Sequence, residues 1–251
     1  MKRYLHHKSV ATALAVLVLP LAVSLGGCDK NGSEGKPQGE STAGWPQPPS
    51  VGKVVWNGNL AGLSGDAAPS ARVVFSGERG EAYAVTADQD GHFMLWIEVP
   101  NGGLILTPRI QIGQVGVEGQ GVVFLASDPV PVAALLFAGE GAYRLDGSGP
   151  LDAVDSDDAA MIVTGRVTSD RAPSLSIGGV TVPVNANDDG RWAVVATPGS
   201  GPVEIVLDGK SYRYPSSQAG LVNRVHSESG WVIRRDVGGG AVQTTWLPED
   251  K

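Results

Sequence analysis

Cysteine, histidine and charged side chains are scarce in this chain, and each scarcity excludes a class of structure or chemistry. The only cysteine among the 251 residues is Cys28, so no disulfide can form within the chain and no multi-cysteine metal site exists. His92 and His226 are the only histidines beyond residue 7, and no His-x-x-x-His spacing occurs. We therefore expect no zinc site and no cofactor.

Aspartate-rich turns are the remaining candidates for a metal site. The aspartates in question are Asp88, Asp90, Asp152, Asp155, Asp157, Asp158, Asp188 and Asp189. None of them belongs to a twelve-residue loop that ends in glutamate, which is the pattern of an EF-hand calcium site. We expect solvated turns and a linker here, and no metal.

Catalytic motifs are equally scarce. The sequence contains no Gly-x-Ser-x-Gly nucleophile elbow, and its two later histidines lie beside turn residues with no obvious serine partner. We assign no catalytic residue and expect a protein that is not an enzyme. The alternative is an accessory protein of envelope glycan hydrolysis, for which Glu98 or Glu204 would need a second carboxylate opposite it in a cleft.

The charge balance argues against nucleic acid as a partner. Charged residues make up only 18% of the chain, and the formal net charge is −7. Removal of residues 1–27 would take away Lys2, Arg3 and Lys8 and lower the charge to −10. An acidic surface without a Lys/Arg cluster repels a phosphate backbone, so we expect no nucleic-acid partner.

Glycine and proline, by contrast, are abundant. The 35 glycines and 17 prolines separate short apolar runs, and no long segment has helical periodicity. Turn signals such as Asp88-Gln89-Asp90-Gly91 and Gly178-Gly179 lie between these runs. The pattern predicts an all-β fold made of two small β-sandwich domains that follow a disordered tether. Only Ala219 to Val225 suggests a short helical turn.

The N-terminal residues have the order of an export signal. A basic stretch, residues 1–8, precedes the uncharged apolar run of residues 10–25, which is too short for a membrane-spanning helix. The run ends in Leu25-Gly26-Gly27-Cys28, which resembles the lipobox of bacterial lipoproteins. The resemblance implies that signal peptidase recognises Leu25, Gly26 and Gly27, and that Cys28 becomes the acylated first residue.

Residues 28–50 then predict the acylated N-terminus and a flexible tether, because Gly, Ser, Pro and charges dominate them. We expect a lipid-anchored protein of the cell envelope. Asp29 resembles the signal that retains lipoproteins in the inner membrane of enteric bacteria. The general frequency of lipoproteins slightly favours the outer membrane, facing the periplasm. The sequence therefore leaves both membranes possible.

Residues 51–139 predict the first β-sandwich domain. Gly52-Lys53-Val54, Pro69-Ser70-Ala71-Arg72-Val73, the run from Thr86 to Phe93 and Val99-Pro100-Asn101-Gly102 follow one another at strand and turn spacing. These motifs resemble the carboxypeptidase-regulatory-like, or transthyretin-like, β-sandwich family over about 50 residues. That resemblance implies an accessory domain without an active site.

Residues 140–160 are rich in glycine and aspartate and predict a linker or exposed loop, and residues 161–251 predict a second sandwich with a C-terminal hairpin. The second domain resembles tandem bacterial immunoglobulin-like domains. Gly165-Arg166-Val167 matches Gly52-Lys53-Val54, and Asp189-Gly190-Arg191-Trp192 matches Asp90-Gly91-His92-Phe93. These matches indicate either a duplication or a chance recurrence of common hairpin residues.

The six tryptophans are numerous for a chain with four phenylalanines. We expect Trp96 and Trp192 to fill sandwich cores. The C-terminal hairpin carries the best candidate for a binding surface, which consists of Trp231, Arg234, Arg235 and Trp246. An envelope protein or a glycan would be its partner, and a hairpin that merely completes the second sandwich is the alternative. A third hypothesis is a purely structural spacer.

Overall fold

The structure is a computed structural model, and the part of the chain that it describes is all β. Within that part the chain forms twenty strands in four antiparallel sheets and has no helix. None of the described segments is therefore a helix that could cross a membrane. The predicted signal peptide, Cys28 and most of the predicted tether lie outside the described residues, as do residues 219–222 of the suggested helical turn. The described ranges are 46–112, 115–147, 149–157, 159–197, 201–216 and 223–249.

A first lobe, β1 to β10, packs a three-stranded sheet of order β1-β2-β5 against a seven-stranded sheet. The larger sheet has the order β10-β9-β8-β6-β3-β4, with β7 paired to β6. Its core contains Leu63, Phe75, Phe93 and Ile97 from the facing layers. The strands are β1 Ser50–Asn57, β2 Leu60–Asp66, β3 Arg72–Gly77, β4 Ala82–Thr86, β5 His92–Glu98, β6 Leu104–Ile112, β7 Val115–Glu118, β8 Val122–Ala126, β9 Val132–Leu136 and β10 Tyr143–Arg144.

A second lobe, β11 to β20, packs a six-stranded sheet of order β15-β12-β11-β20-β19-β18 against a four-stranded sheet of order β14-β13-β16-β17. Leu151, Trp192, Tyr214 and Trp246 are among its core residues. The strands are β11 Leu151–Ser156, β12 Met161–Arg166, β13 Leu175–Ile177, β14 Val180–Val182, β15 Arg191–Ala196, β16 Val203–Leu207, β17 Lys210–Tyr214, β18 Arg224–Ser227, β19 Gly230–Gly238 and β20 Ala241–Pro248.

The two lobes repeat one arrangement of strands. The layer β1-β2-β5 corresponds to β11-β12-β15, and the trio β4-β3-β6 corresponds to β14-β13-β16. In each of these three-stranded layers, a glycine of the middle strand pairs with a residue of both neighbouring strands. Gly65 pairs with Val51 and Phe93, and Gly165 pairs with Leu151 and Trp192. The next pairing is displaced by one residue in both lobes, which marks the same β-bulge.

The turn before the third strand of this layer is also repeated. The Asp88 carboxylate accepts hydrogen bonds from the backbone N–H groups of Asp90 and His92, and the Asn187 side-chain oxygen accepts those of Asp189 and Arg191. The predicted match between residues 90–93 and 189–192 is therefore confirmed. The predicted match of Gly52 with Gly165 is wrong, since the strand pairings place Gly65 opposite the equivalent partners.

The range 140–160 is not the exposed linker that its composition predicted. It contains β10 and β11, and every residue of β11 is buried. Asp152 is hydrogen-bonded by the Arg166 guanidinium at 2.7 and 2.9 Å, so its charge is paired inside the second lobe. Burial raises the pKa of Asp152, and the nearby Arg166 opposes that shift. The polar composition of residues 140–160 predicted exposure because Arg166, the partner of Asp152, lies outside this range.

A third apolar cluster joins the lobes. Phe124 and Leu136 of the first lobe pack with Trp231, Ile233 and Leu247 of the second, and the rings of Phe124 and Trp231 lie edge to face at 5.3 Å. The residues on both sides of this joint are buried. The described residues from 46 onward thus share a continuous interior, in line with their grouping into one compact unit.

Asp155 is the centre of a buried hydrogen-bond network that also links the two lobes. Its carboxylate accepts hydrogen bonds from the Ala142 N–H at 2.7 Å, the Gln243 amide at 2.8 Å and the Thr245 hydroxyl. Gln243 also accepts a hydrogen bond from the Gly139 N–H and donates one to the Glu140 carbonyl. Burial raises the pKa of Asp155, while the three donors act in the opposite direction. This network attaches β20 to the connection between β9 and β10 of the first lobe.

Replacement of Asp155 by alanine should strongly destabilise the fold. The change leaves the donors on Ala142, Gln243 and Thr245 buried without an acceptor, and each such group costs about 1–3 kcal/mol. We expect the free energy of unfolding to fall by roughly 3 kcal/mol in urea titrations. Asp189→Ala removes an exposed carboxylate and serves as the control, with an expected change within about 0.5 kcal/mol. Equal stability of the two variants would contradict the role given to Asp155.

Substitution of the two repeated glycines tests the register of the layers. A Cβ at Gly165 would lie 2.2 Å from the Pro150 carbonyl oxygen, and one at Gly65 would lie 1.9 Å from that of Ser50. Gly65→Ala and Gly165→Ala should each lower the melting temperature by several degrees, because the neighbouring backbone carbonyl must move to make room for the methyl group. Gly52→Ala is the matched control on β1, where no atom lies within 4 Å. A similar decrease for Gly52→Ala would show that the clash is not the cause.

Candidate functional site

The two tryptophans of the predicted C-terminal surface are buried. Trp231 is 4% exposed and Trp246 only 1%. Trp231 faces the joint between the lobes, and Trp246 lies in the core of the second lobe. The exposure assumed for this candidate surface was therefore wrong, because both faces of the hairpin are covered. The alternative, that the hairpin completes the second sandwich, describes the observed packing.

Of the two arginines of that predicted surface, Arg235 bonds to the first lobe across the joint, and Arg234 bonds within the second lobe. Arg235 is half-buried and donates a hydrogen bond from Nη2 to the Phe137 carbonyl at 2.9 Å. Desolvation lowers the pKa of Arg235, and the nearby Asp155 carboxylate opposes this effect. Arg234 is half-buried on the same strand, where its backbone N–H bonds to the Asn223 carbonyl. Neither arginine, then, forms an exposed surface with the tryptophans.

Among the described residues, Trp96 is the tryptophan that is exposed. Its side of β5 carries His92, Met94 and Glu98, while Phe93 and Ile97 point into the core. Trp96 is 48% exposed and Met94 53%. The expectation that Trp96 fills the core was wrong, whereas the same expectation for Trp192 is confirmed.

One signal in the sequence could have located this surface. The run from Phe93 to Ile97 is apolar throughout, so it offers no contrast between two faces. The polar residues at its ends, His92 and Glu98, have the same parity as Trp96. Residues separated by an even number of positions in a strand lie on the same face, so Trp96 shares a face with His92 and Glu98. These two polar residues indicate that the face is exposed to solvent.

The indole of Trp96 lies flat on the sheet. Gly62 of β2 is its cross-strand partner. A Cβ built on Gly62 would be 2.9 Å from Cη2 and 3.0 Å from both Cζ2 and Cζ3 of Trp96. Three consecutive ring atoms can be this nearly equidistant only when the face of the ring, and not its edge, covers the glycine. One face of the indole therefore rests on Gly62 while the side chain stays half exposed. We call this arrangement the Trp96 platform.

The second lobe shows that the scaffold does not require this pair. The repeat places Ile162 and Val195 at the positions of Gly62 and Trp96, and these two residues are cross-strand partners as well. Val195 is 72% exposed, so the position is a surface position in both lobes. A β-branched pair is the ordinary solution for such a site on a strand. The glycine and the flat indole thus distinguish the first lobe.

Polar pairs lie on either side of the Trp96 platform. At one end, Asp66 is hydrogen-bonded to the Nδ1 of His92, and this bond raises the pKa of His92. At the other end, the Asn59 amide donates to the Glu98 carboxylate at 3.1 Å. Along β5 these ends are about 20 Å apart, given the rise of roughly 3.3 Å per residue.

An open groove of about 580 Å³ adjoins this second pair. Its polar lining is supplied by two amides, a phenol and a carboxylate, and Val99 and Pro100 complete it. Glu98 belongs both to the groove and to the outward side of β5, where it follows Trp96 by two residues. The lining residues are Asn59, Tyr83, Glu98, Val99, Pro100 and Asn101.

The two glutamates considered for a two-carboxylate enzyme lie in different lobes, Glu98 in β5 and Glu204 in β16. Glu98 is the only carboxylate that lines the groove, and Glu204 accepts a hydrogen bond from the Ser211 hydroxyl at 2.7 Å. His226 lies in β18, and its Nε2 is hydrogen-bonded to Glu249. Among the described residues, no group of three or more His, Cys, Asp or Glu side chains could hold a metal ion.

Comparison with known proteins leaves the chain without an assigned family. No protein-family model matches the sequence, and no curated protein matches it. The resemblances to lipoproteins and to the two β-sandwich families accordingly stay predictions.

A paired substitution should separate the exposed tryptophan from a buried one. Trp96→Ala removes a half-exposed ring that leaves no cavity, so we expect a loss of about 1 kcal/mol or less in the free energy of unfolding. Trp192→Ala empties a core position and should cost roughly 3–5 kcal/mol. Urea denaturation of both variants is the measurement. A cost for Trp96→Ala as large as that for Trp192→Ala would show that Trp96 is structural.

Proposed function

We propose that this protein is a lipid-anchored, non-enzymatic binding module of the bacterial cell envelope, and that the Trp96 platform is its contact surface. The single observation that carries the proposal is the flat, half-exposed indole on Gly62. A large aromatic ring held in one orientation costs little conformational entropy on binding, which is why tryptophan is frequent in energetic hot spots of interfaces.

The anchoring half of the proposal is supported by the order of the N-terminal residues. A basic stretch, an uncharged apolar run and Leu25-Gly26-Gly27-Cys28 follow one another, and a tether-like composition comes next. Several acyl chains on Cys28 would give stable membrane attachment, where a single chain binds only marginally. Envelope lipid on one side and an envelope partner on the other would then be bridged by the folded lobes.

The comparison between the lobes favours a binding module over a structural spacer. A spacer needs stable lobes and a rigid joint, and Ile162 with Val195 already provides a sufficient pair at the equivalent surface position. The Trp96 platform adds exposed apolar area on the first lobe without contributing a core side chain. Exposed aromatic surface of this kind is typical of sites that bind a partner.

Loss of the lipid attachment point should release the protein from the membrane. Cys28→Ser keeps the size of the side chain but removes the thiol that would take the diacylglycerol. We expect this variant in the soluble fraction of lysed cells and the parent in the membrane fraction, with a matching difference in mass. Ser33→Ala, in the predicted tether, is the control and should stay in the membrane fraction. An unmodified Cys28 in the parent protein would overturn the anchoring half.

The contact surface is tested by adding the purified Cys28→Ser protein to isolated envelopes, where no lipid anchor contributes. We expect saturable retention that Trp96→Ala weakens by about tenfold or more, because the ring supplies the main apolar contact. Val195→Ala alters the equivalent position of the second lobe and should be retained like the parent. Equal retention of the Trp96→Ala variant would overturn the binding half of the proposal.

A further inference from the structure

We propose that the ligand of the Trp96 platform and its adjoining groove is an uncharged polysaccharide chain. This inference rests on the proposed function and names the chemical class of its partner. Three observations carry it, namely the orientation of the indole, the chemistry of the groove lining and the charge around them.

The orientation of the indole suits the face of a pyranose ring. The face of an aromatic ring carries the negative part of its quadrupole, and its edge carries the positive part. A pyranose presents a flat patch of C–H groups with partial positive charge on one face and hydroxyls around its rim. Because Gly62 supports one face of Trp96 from below, the other face is held parallel to the sheet, where a sugar ring can lie on it.

The groove supplies the groups that hydroxyls require. Asn59 and Asn101 each carry an amide that both donates and accepts, Tyr83 carries a phenol, and Glu98 carries two acceptor oxygens. The existing bond from Asn59 to Glu98 fixes the direction of both side chains. A sugar on the Trp96 platform would have its next unit beside Glu98, since the two residues lie about 6.6 Å apart along β5.

The charge of the groove selects against acidic glycans. No lysine or arginine lines the groove, and Glu98 is its only ionisable carboxylate. Within the groove a polyanionic chain would therefore meet repulsion without a compensating cation, and the acidic character of the whole protein adds to this; Lys53, exposed on β1, lies outside the groove. Uncharged sugars, including N-acetylated ones, meet no such penalty.

The same observations favour a polysaccharide over a protein as the partner. A stable protein interface buries about 800 Å² on each side, with an apolar centre. Leu60, Met94 and Val55, the β1 partner of Gly62, are the other apolar side chains on the outward side of this three-stranded layer. The pairs Asp66–His92 and Asn59–Glu98 lie at its ends. A narrow strip with polar ends matches a chain of sugars better than a broad apolar patch.

Affinity electrophoresis gives a direct test, because the acidic full-length Cys28→Ser protein migrates in native gels. The gels would contain galactomannan, mixed-linkage β-glucan or glycol chitin as uncharged probes, and alginate as the anionic probe. We expect at least one uncharged polysaccharide to retard the protein and alginate to leave its migration unchanged. Failure of all three uncharged probes to retard the protein, or retardation by alginate, would overturn the inference.

Matched variants assign the retardation to the site. Trp96→Ala should weaken binding by about tenfold or more, and Gly62→Ala should also weaken it because the new methyl group lifts the indole off the sheet. Val195→Ala should bind like the parent. Unchanged melting temperatures would show that the variants are folded. Retardation that persists fully in Trp96→Ala contradicts the assignment.

The outcome also separates this inference from the proposed function. If the Trp96→Ala variant loses retention on isolated envelopes while no uncharged polysaccharide binds the parent, the partner is a protein. The inference then fails and the proposed function stands. If retention on envelopes does not depend on Trp96, the proposed function fails, and with it the assignment of the polysaccharide to this face.

Discussion

The register of one three-stranded layer decides what the first lobe presents to solvent. Gly65 lets the Ser50 carbonyl and the Phe93 ring approach a position that no side chain could occupy, and this contact sets β2 against both neighbours. A slip by one residue would turn Trp96 into the core and Phe93 outward. Gly165 has the same contacts in the second lobe, so the constraint belongs to the repeated scaffold. The surface that differs, Gly62 with Trp96, is built upon it.

A second constraint holds the two lobes together. The joint combines an apolar cluster with the buried Asp155 carboxylate, which the Ala142 N–H, the Gln243 amide and the Thr245 hydroxyl supply with hydrogen bonds. Such a network fixes orientation more strictly than apolar packing alone. The two lobes consequently form one body with little internal freedom.

Local chemistry made much of the fold predictable. Asp-Gly turns and alternating apolar strands are set by neighbouring residues, and the all-β class and the turn at Gly91 follow from them. The burial of β11 and the exposure of Trp96 depend on residues far away in sequence. Arg166 neutralises Asp152 from the next strand, and Gly62 receives the indole of Trp96 from β5. Composition alone therefore misplaced the linker and put the binding surface on Trp231 and Trp246.

The orientation and occupancy of the Trp96 indole form the central claim, and fluorine NMR of protein labelled with 5-fluorotryptophan tests it most directly. Trp96→Phe identifies the resonance, and the bound probe is an oligosaccharide of whichever uncharged polysaccharide retards the protein. The account predicts that the Trp96 resonance shifts on titration while those of Trp192, Trp231 and Trp246 stay in place. A stationary Trp96 resonance, or shifts confined to the buried tryptophans, would contradict it.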